Sequence, residues 1–327
     1  MAGDDRGAGW RPAAPLENLR QRARILQRIR AFFDAHGVLE VETPALSRAA
    51  ITDPHLECFA TRYTGPGHSD GLPLYLHTSP EFPMKRLLAA GVGPIYQLCK
   101  VFRQGEAGRR HNPEFTLLEW YRPGYDHHAL MDEVAALVAP LLGLEGEAER
   151  LSYREAFLRH LEIDPLSASL PELRQCAAAH GIRGFDDEGA RDVWLDLLLT
   201  HCIEPELGRD RLCFLYDYPA SQAALARLNP DDQRVAERFE LYYRGVELAN
   251  GFHELADASE QRRRFEAELS TRAEQGLEQV PLDEYLLAAL EQLPHCSGVA
   301  LGIDRVVMLA LGAESLDEVM AFTIENC

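Results

Sequence analysis

Apolar residues recur at three- to four-residue spacing near the start of the chain, at Leu19, Ala23, Leu26, Ile29 and Phe33. Residues at this spacing share one face of an α-helix, so the pattern predicts an amphipathic helix over residues 16–37. Gly37 lies where the left-handed residue that often ends a helix is expected. Residues 1–15 are polar and Gly-rich, and we expect a flexible leader there.

Two hairpins follow from shorter extended segments. The first joins strands over 95–103 and 115–122 through a loop rich in Gly and Arg. The second joins 239–243 and 246–254 through the two-residue turn Arg244-Gly245, which suits a tight hairpin. Helical patterns cover further segments, namely 80–88, 130–143, 151–161, 262–275, 283–293 and 304–311, and short strands are predicted at 38–43 and 297–303. Antiparallel hairpins with helices segregated around them indicate an α+β fold.

Composition narrows the class of protein. The chain has 327 residues, of which 46% are apolar, enough for one large core over residues 16–327 with a helical insertion at about 165–215. No segment resembles a signal peptide or a membrane span, so we expect a cytoplasmic protein. The net charge of −19 argues against a large polyanion as the main partner. The seven cysteines show no C-x-x-C pair, and we expect them to be reduced.

The strand at 115–122 carries an unusual face. Alternate residues of a strand share a face, which groups Phe115, Leu117, Glu119 and Tyr121. One interpretation is a charged strand face in solvent. The other is the floor of a ligand site, where Phe115 stacks on a flat ring while Glu119 and Tyr121 meet polar groups. The preceding loop holds Arg109, Arg110 and His111, which suit phosphates.

The second hairpin brings carboxylates together. Glu240 is diagonal to Glu247, and two carboxylates this close repel unless a cation lies between them. Oxygen ligands favour Mg²⁺, although solvated glutamates explain the pattern equally well. Asn250, Phe252 and Glu254 alternate onto one face, and strict alternation puts Glu247 on the other. A bulge near Gly251 would reconcile the two sets.

A third motif runs from Gly298 to Arg305. Asp304 suits a helix N-terminus, whereas the cation of Arg305 opposes the helix dipole there. Either Arg305 pairs with Asp304, or an anion such as phosphate lies beside it. The histidines at 111, 127, 128 and 253 lack zinc-binding spacing, so we expect no transition metal.

Together, these segments resemble the three signature motifs of class II aminoacyl-tRNA synthetases: residues 37–44 resemble motif 1, 102–103 with 111–115 motif 2, and 298–305 motif 3. Strings at 79–81, 85–87, 110–116 and 247–255 are most similar to the lysyl enzymes. The chain has about fifteen residues before its first helix, too few for the N-terminal anticodon-binding barrel of those enzymes. Strings at 111–122, 219–222 and 250–255 resemble the elongation factor P–(R)-β-lysine ligase family.

This resemblance implies a class II synthetase catalytic fold that uses ATP and Mg²⁺ to activate (R)-β-lysine, or lysine, as an acyl-adenylate. The acyl group would pass to a lysine of elongation factor P. A homodimer without stable tRNA binding or membrane association is implied. Two alternatives stay open, namely a lysyl-synthetase-like ligase with another acceptor and an inactive regulatory paralogue.

The resemblance also implies residue roles. ATP would be bound by Arg103, Gln104, Gly105, Glu106, His111, Asn112, Phe115, Glu247, Leu248, Gly302 and Arg305, with Arg103 and Arg305 catalytic. The amino acid would be bound by Ser79, Pro80, Glu81, Glu119, Tyr121, Asn250, Phe252, Glu254 and Ala300. Glu240 and Glu247 would hold Mg²⁺. Gly105 replaces the usual adenine-reading Glu of motif 2, and Ser79 and Ala300 replace Ala and Gly, which could reshape the pocket for a β-amino acid.

Overall fold

The structure is a computed structural model that describes residues 10–182 and 190–327. Most of the predicted leader and a short part of the predicted insertion lie outside the described residues. The chain forms two compact units. The first unit contains residues 1–121, 257–294 and 302–327, and the second contains residues 122–256 and 295–301.

The helices and strands follow one another along the chain in this order: α1 Leu16–Ala35, β1 Leu39–Glu40, β2 Leu46–Ser47, β3 Ala60–Gly65, β4 His68–Leu76, α2 Glu81–Ala89, β5 Ile95–Phe102, β6 Glu114–Pro123, α3 His127–Leu142, β7 Glu149–Ser152, α4 Tyr153–Leu161, α5 Leu170–Ala179, α6 Arg191–Leu198, β8 Cys213–Pro219, β9 Val235–Tyr243, β10 Val246–His253, α7 Ala258–Glu274, α8 Glu284–Leu290, β11 Cys296–Gly302 and α9 Ile303–Ala310. Both predicted hairpins are confirmed, as β5–β6 and β9–β10. The α+β class is also confirmed.

In the first unit, β5 pairs antiparallel with β6 along its whole length and parallel with β1, while β2, β4 and β3 form a small antiparallel sheet. The predicted helix at 16–37 is confirmed as α1. Its apolar stripe packs on the sheet, because the ring of Phe33 stacks on Tyr96 at a centroid distance of 4.3 Å and meets Trp120 edge-on at 5.4 Å. This packing positions β5 and β6, which carry the motif 2 residues.

In the second unit, β11, β10, β9 and β8 are antiparallel neighbours in that order, and β7 pairs parallel with β8. Helices α4, α5 and α6 bury their apolar faces in one cluster with β8, which includes Phe157, Leu173, Leu195 and Leu215. Hydrophobic burial of this kind is the main stabilising contribution to such a unit. The helices of the predicted insertion therefore complete the core of this sheet.

Two predictions about this unit are wrong in detail. The helical segment expected to reach residue 215 gives way to strand β8 at Cys213, and the helix expected at 151–161 is preceded by strand β7. The β7 strand has only four residues, and its partner β8 is distant in sequence, so no local periodicity could indicate the pairing. Helix α4 itself begins with a capping box between Ser152 and Glu155.

The β9–β10 hairpin contains a bulge, but not where it was expected. Glu247 faces Tyr242 and Ala249 faces Leu241, so the extra residue is Leu248, and the predicted bulge near Gly251 is wrong. Gly251 is instead needed for close packing. A Cβ there would come within 2.4 Å of the Phe239 ring and 3.0 Å of the Gly298 carbonyl oxygen. The bulge moves the side chains that follow it to the other face of the strand. Such a change of face is what the predicted grouping of Glu247 with Asn250 required.

All seven cysteines are free thiols, as expected, although only Cys213 and Cys296 are fully buried. Among residues 10–182 and 190–327, no helix combines the length and the apolar character that crossing a bilayer requires.

Candidate active site

In the first unit, the β5–β6 hairpin places the guanidinium of Arg103 over the ring of Phe115. The guanidinium of Arg103 lies 5.0 Å from the ring centroid of Phe115, and its Nη1 lies 3.5 Å from Glu106. The backbone N–H of Arg103 donates to the carbonyl of Pro113 at 2.9 Å, which closes the loop. Within the described part of the chain, the buried Nε of Arg103 has no hydrogen-bond partner. This geometry leaves Arg103 a donor with which to bind an anion.

Arg305 joins the same loop from the first turn of α9. Its Nη2 lies 2.7 Å from Nε2 of His111, and its Nε donates to the carbonyl of Arg110 at 3.3 Å. Burial and the nearby Arg305 charge lower the pKa of His111, so this imidazole is neutral at physiological pH and accepts from the guanidinium. The first unit therefore brings together Arg103, His111, Phe115 and Arg305.

Asp304 does not pair with Arg305, so that alternative is wrong. Asp304 is buried, its Oδ1 lies 2.5 Å from Arg22 of α1, and its Oδ2 accepts the backbone N–H of Thr116 at 2.6 Å. These contacts tie α1, β6 and α9 together. They leave the Arg305 side chain directed to the motif 2 loop.

Other predicted ATP residues contribute to the shape of this loop. Gln104 pairs with Glu57 through its backbone N–H at 2.9 Å and its side chain at 3.3 Å. Gly105 has φ +83°, a left-handed conformation that glycine adopts without strain. Asn112 is buried, donates to the Glu114 carbonyl at 2.6 Å, and accepts the N–H of Ile324 at 2.9 Å. Asn112 thus fastens the loop to the C-terminal segment.

A buried carboxylate lies at the far end of β6. Glu119 is 2% exposed and accepts hydrogen bonds from Ser79 Oγ and Tyr121 Oη, both at 2.6 Å. The face predicted from strand alternation is therefore formed, and Ser79, at the entry to α2, is added to it. When ionised, a carboxylate oriented by such hydrogen bonds is suited to bind an ammonium group.

Glu81 opens helix α2 beside this group. Its backbone N–H donates to Ser79 Oγ at 3.0 Å, and its carboxylate lies 2.5 Å from the buried ammonium of Lys85. Pro80 is the residue just before the helix. Sequence reasoning did not assign a role to Lys85, although its i, i+4 spacing from Glu81 is the signal for such a pair.

The second unit holds a second acidic group on β9 and β10. Glu240 is 7% exposed and accepts from Arg238 at 2.5 Å, Tyr218 at 2.6 Å and Tyr242 at 2.5 Å. Arg238 also donates to Asn250 at 3.2 Å. Burial, with the Glu240 charge next, raises the pKa of both phenols, so they remain protonated donors.

Sequence reasoning missed a third carboxylate near the predicted metal pair. Burial first, then the charges of Glu240 and Glu247, raise the pKa of Glu204 to about 7. The hydroxyl of Tyr242 lies between Glu204 at 3.3 Å and Glu240. Glu204 belongs to the segment in which no motif was recognised, and no local pattern marks it. Three coupled carboxylates attract a hard divalent cation.

The remaining predicted substrate residues follow along β10 and its neighbour β11. Ala300 faces Asn250 across the two strands, and Phe252 faces Gly298. Glu254 is 5% exposed, and its backbone N–H donates to the carbonyl of Cys296 at 3.0 Å. The structure therefore groups Glu240, Glu247, Asn250 and Ala300 within one sheet, while the first unit groups the basic residues and Glu119.

Comparison with known proteins identifies the family of this chain. The family "tRNA synthetases class II (D, K and N)" matches residues 5–326. A Klebsiella pneumoniae relative named elongation factor P–(R)-β-lysine ligase is 60% identical over 321 residues, which is 98% of each chain. Relatives with the same name from Salmonella typhi and Edwardsiella ictaluri are 58% identical over 98% of each chain. The chain therefore belongs to the class II tRNA synthetase family (D, K and N) and to the family of these elongation factor P–(R)-β-lysine ligases.

Proposed function

We propose that this protein activates (R)-β-lysine with ATP and transfers it to a lysine side chain of elongation factor P. The match to ligases of that name along 98% of both chains carries the proposal. It disfavours the two alternatives, because an inactive paralogue or a ligase with another acceptor would not be expected to retain this similarity together with Arg103 and Arg305. The proposed acceptor implies a cytoplasmic enzyme.

The first half of the reaction needs charge neutralisation and positioning. The substrate carboxylate attacks the α-phosphorus of ATP, pyrophosphate leaves, and an acyl-adenylate forms. In this proposal Arg103 binds the α-phosphate and the substrate carboxylate, its partner Phe115 stacks on adenine, and Arg305 with His111 holds the distal phosphates. Preorganised cations of this kind stabilise the charge that develops in the transition state.

The family implies ATP and a divalent metal, and we propose Mg²⁺. The donor set fits, because Glu204, Glu240 and Glu247 supply carboxylate oxygens whose mutual repulsion a cation relieves. Glu240 already accepts three protein hydrogen bonds, from Tyr218, Arg238 and Tyr242, which hold its carboxylate in place. When bound, Mg²⁺ neutralises phosphate charge.

The amino groups of the substrate would meet the acidic residues. We assign Glu119, with Ser79 and Tyr121 of the first unit, to the binding of an ammonium group of the substrate. Ser79 donates to Glu119, so the hydroxyl both orients the carboxylate and narrows the space beside it. In the second half of the reaction, the acceptor amine attacks the acyl carbon and AMP leaves, with no covalent enzyme intermediate.

The test is amino-acid-dependent pyrophosphate exchange with (R)-β-lysine, (S)-β-lysine, L-lysine and L-ornithine, followed by transfer to elongation factor P. We expect (R)-β-lysine to give the highest kcat/KM and elongation factor P to gain one lysyl mass. A factor whose acceptor lysine is replaced by arginine is the control and should gain none. Transfer of the label to tRNA, with none to the factor, would contradict the proposal.

A further inference from the structure

A buried cluster in the second unit lies outside the proposed roles. His127 is the first residue of α3, Glu237 lies on β9, and His253 is the last residue of β10. Phe252 faces Arg238 in the β9–β10 ladder, which makes Glu237 and His253 cross-strand neighbours. One ligand atom from each of the three residues lies within 4.8 Å of the other two.

The ring of His127 needs a partner that the described protein does not provide. His127 is 3% exposed and His253 is 1% exposed. Neither ring nitrogen of His127 has a hydrogen-bond partner among residues 10–182 and 190–327. A buried imidazole nitrogen without a hydrogen-bond partner destabilises the folded state. A bound group that contacts this ring would offset that cost.

Glu237 and His253 are oriented by contacts with each other and with Arg227. Nδ1 of His253 lies 2.5 Å from Glu237 Oε2, and Arg227 donates to the same carboxylate at 2.5 and 3.3 Å. Nε2 of His253 has no hydrogen-bond partner among the described residues. A carboxylate that orients one nitrogen of an imidazole leaves the other nitrogen placed to bind a metal.

A fourth donor approaches from β8. The register between β8 and β9 shifts between Tyr216 and Tyr218, so the single residue Asp217 faces both Glu237 and Arg238. Asp217 has φ +58°, a strained left-handed conformation for a residue with a side chain. Its Oδ1 lies 3.7 Å from Nε2 of His127 and has no hydrogen-bond partner within the described residues.

We propose that His127, Glu237 and His253, with Asp217 as a fourth ligand, bind a divalent transition metal of the Zn²⁺ type. Tetrahedral zinc with bonds of about 2.0–2.1 Å needs ligand atoms roughly 3.3 Å apart. The ligand atoms of His127, Glu237 and His253 lie within 4.8 Å of one another, so side-chain movements would bring these three to that spacing, and Asp217 would follow from its position 3.7 Å from His127. Two imidazoles select such a metal over Mg²⁺. The metal would anchor the start of α3 to β9 and β10. This inference replaces our expectation of no transition metal, which depended on spacing along the sequence.

The test uses the full-length protein stripped of metal and titrated with Co²⁺ and Zn²⁺ in excess Mg²⁺. We expect one equivalent of Co²⁺ with the visible absorption of a tetrahedral site, displacement by Zn²⁺, and a higher Tm. His127→Gln and His253→Gln should each weaken binding by about 100-fold. His128→Gln is the matched control, because this ring contacts His127 at 4.1 Å yet lies outside the ligand set, and it should bind like the unchanged protein.

Two outcomes would overturn the proposal. One is binding of less than half an equivalent of Co²⁺ or Zn²⁺ at micromolar protein. The other is binding that persists undiminished in both His127→Gln and His253→Gln, which would indicate adventitious surface histidines. If these variants do not fold, X-ray absorption of the cobalt-loaded original protein decides the question, since two imidazole ligands support the site and fewer than two refute it.

Discussion

Glu119 illustrates how single residues acquire their chemistry in this protein. Its position on an alternating strand face made it a candidate, and the structure adds that it lies 2% exposed and accepts hydrogen bonds from Ser79 and Tyr121. A carboxylate forms stronger hydrogen bonds with charged donors than with neutral ones, so an ammonium group of the substrate would be a favourable partner. The contribution of Glu119 to amino acid binding can be measured directly.

Glu119→Gln should raise KM for the amino acid and lower kcat/KM by about 10- to 100-fold, because the amide forfeits a charge-assisted hydrogen bond of roughly 1.5–3 kcal/mol. KM for ATP should stay within about twofold of the original. Pyrophosphate exchange at varied amino acid and ATP concentrations checks this. Ser79→Ala is the control, with a smaller effect. An unchanged KM for the amino acid would remove Glu119 from the substrate site.

Glu268 gives a second residue-scale prediction, about stability. Burial, partly offset by a hydrogen bond from Thr52, raises the pKa of Glu268 to about 7, above its ordinary 4.5. The folded state therefore holds this proton more tightly than the unfolded state does. The contribution is present below about pH 4.5 and is lost as pH rises through 7.

Glu268→Gln should therefore match the original protein near pH 5 and become relatively more stable by pH 8, by at most about 3 kcal/mol. Urea unfolding at pH 5, 6.5 and 8 measures this difference. Glu17→Gln is the control, because Glu17 is an exposed carboxylate that pairs with Arg20, and its replacement should show no such trend. A constant difference across the three pH values would show that Glu268 titrates normally.

At the scale of elements, strand β10 contains a bulge that changes the face on which its side chains lie. The bulge at Leu248 turns the strand between Glu247 and Asn250, and Gly251 then lets the sheet approach the ring of Phe239. A side chain at 251 would be over-packed, because its Cβ would lie 2.4 Å from that ring. The strand therefore depends on one residue without a side chain.

Gly251→Ala should cost about 1–3 kcal/mol of stability, the usual cost of over-packing, and should lower Tm. Combining it with Phe239→Leu, which removes the blocking ring, should recover part of the loss relative to the sum of the single changes. Thermal unfolding of the two single variants and the double variant gives this comparison. Strict additivity would mean that the Phe239 contact does not limit position 251.

At the scale of the whole molecule, the net charge and the pairing of the arginines in α1 bear on whether tRNA can be the acceptor. The net charge is −19, and the arginines of α1 are largely paired within the protein, with Arg20 and Arg24 next to Glu17 and Arg30 next to Glu40. Phosphate-binding surfaces need unpaired cations. Helix α1 is thus poorly suited as a tRNA-binding face.

We therefore expect no saturable tRNA binding up to about 10 μM at 150 mM salt, whereas dedicated binders hold nucleic acid more tightly than this. Filter binding or fluorescence anisotropy with labelled tRNA measures it. A lysyl-tRNA synthetase under the same conditions is the positive control. Saturable binding in the low micromolar range would show that the acidic balance does not exclude this partner.

The sequence alone determined the elements that local periodicity encodes, such as α1 and the two hairpins, because neighbours three, four or two residues apart share a face. The motifs that contain Arg103 and Arg305 were recognised from their resemblance to class II synthetases. Only the tertiary structure decided that Asp304 pairs with Arg22, that the bulge is at Leu248, and that Glu204 joins the other carboxylates. The cluster of His127, Glu237 and His253 was likewise recognised only in the tertiary structure. Such contacts join residues far apart in the chain, and they depend on strand register and packing, which no local pattern of residues specifies.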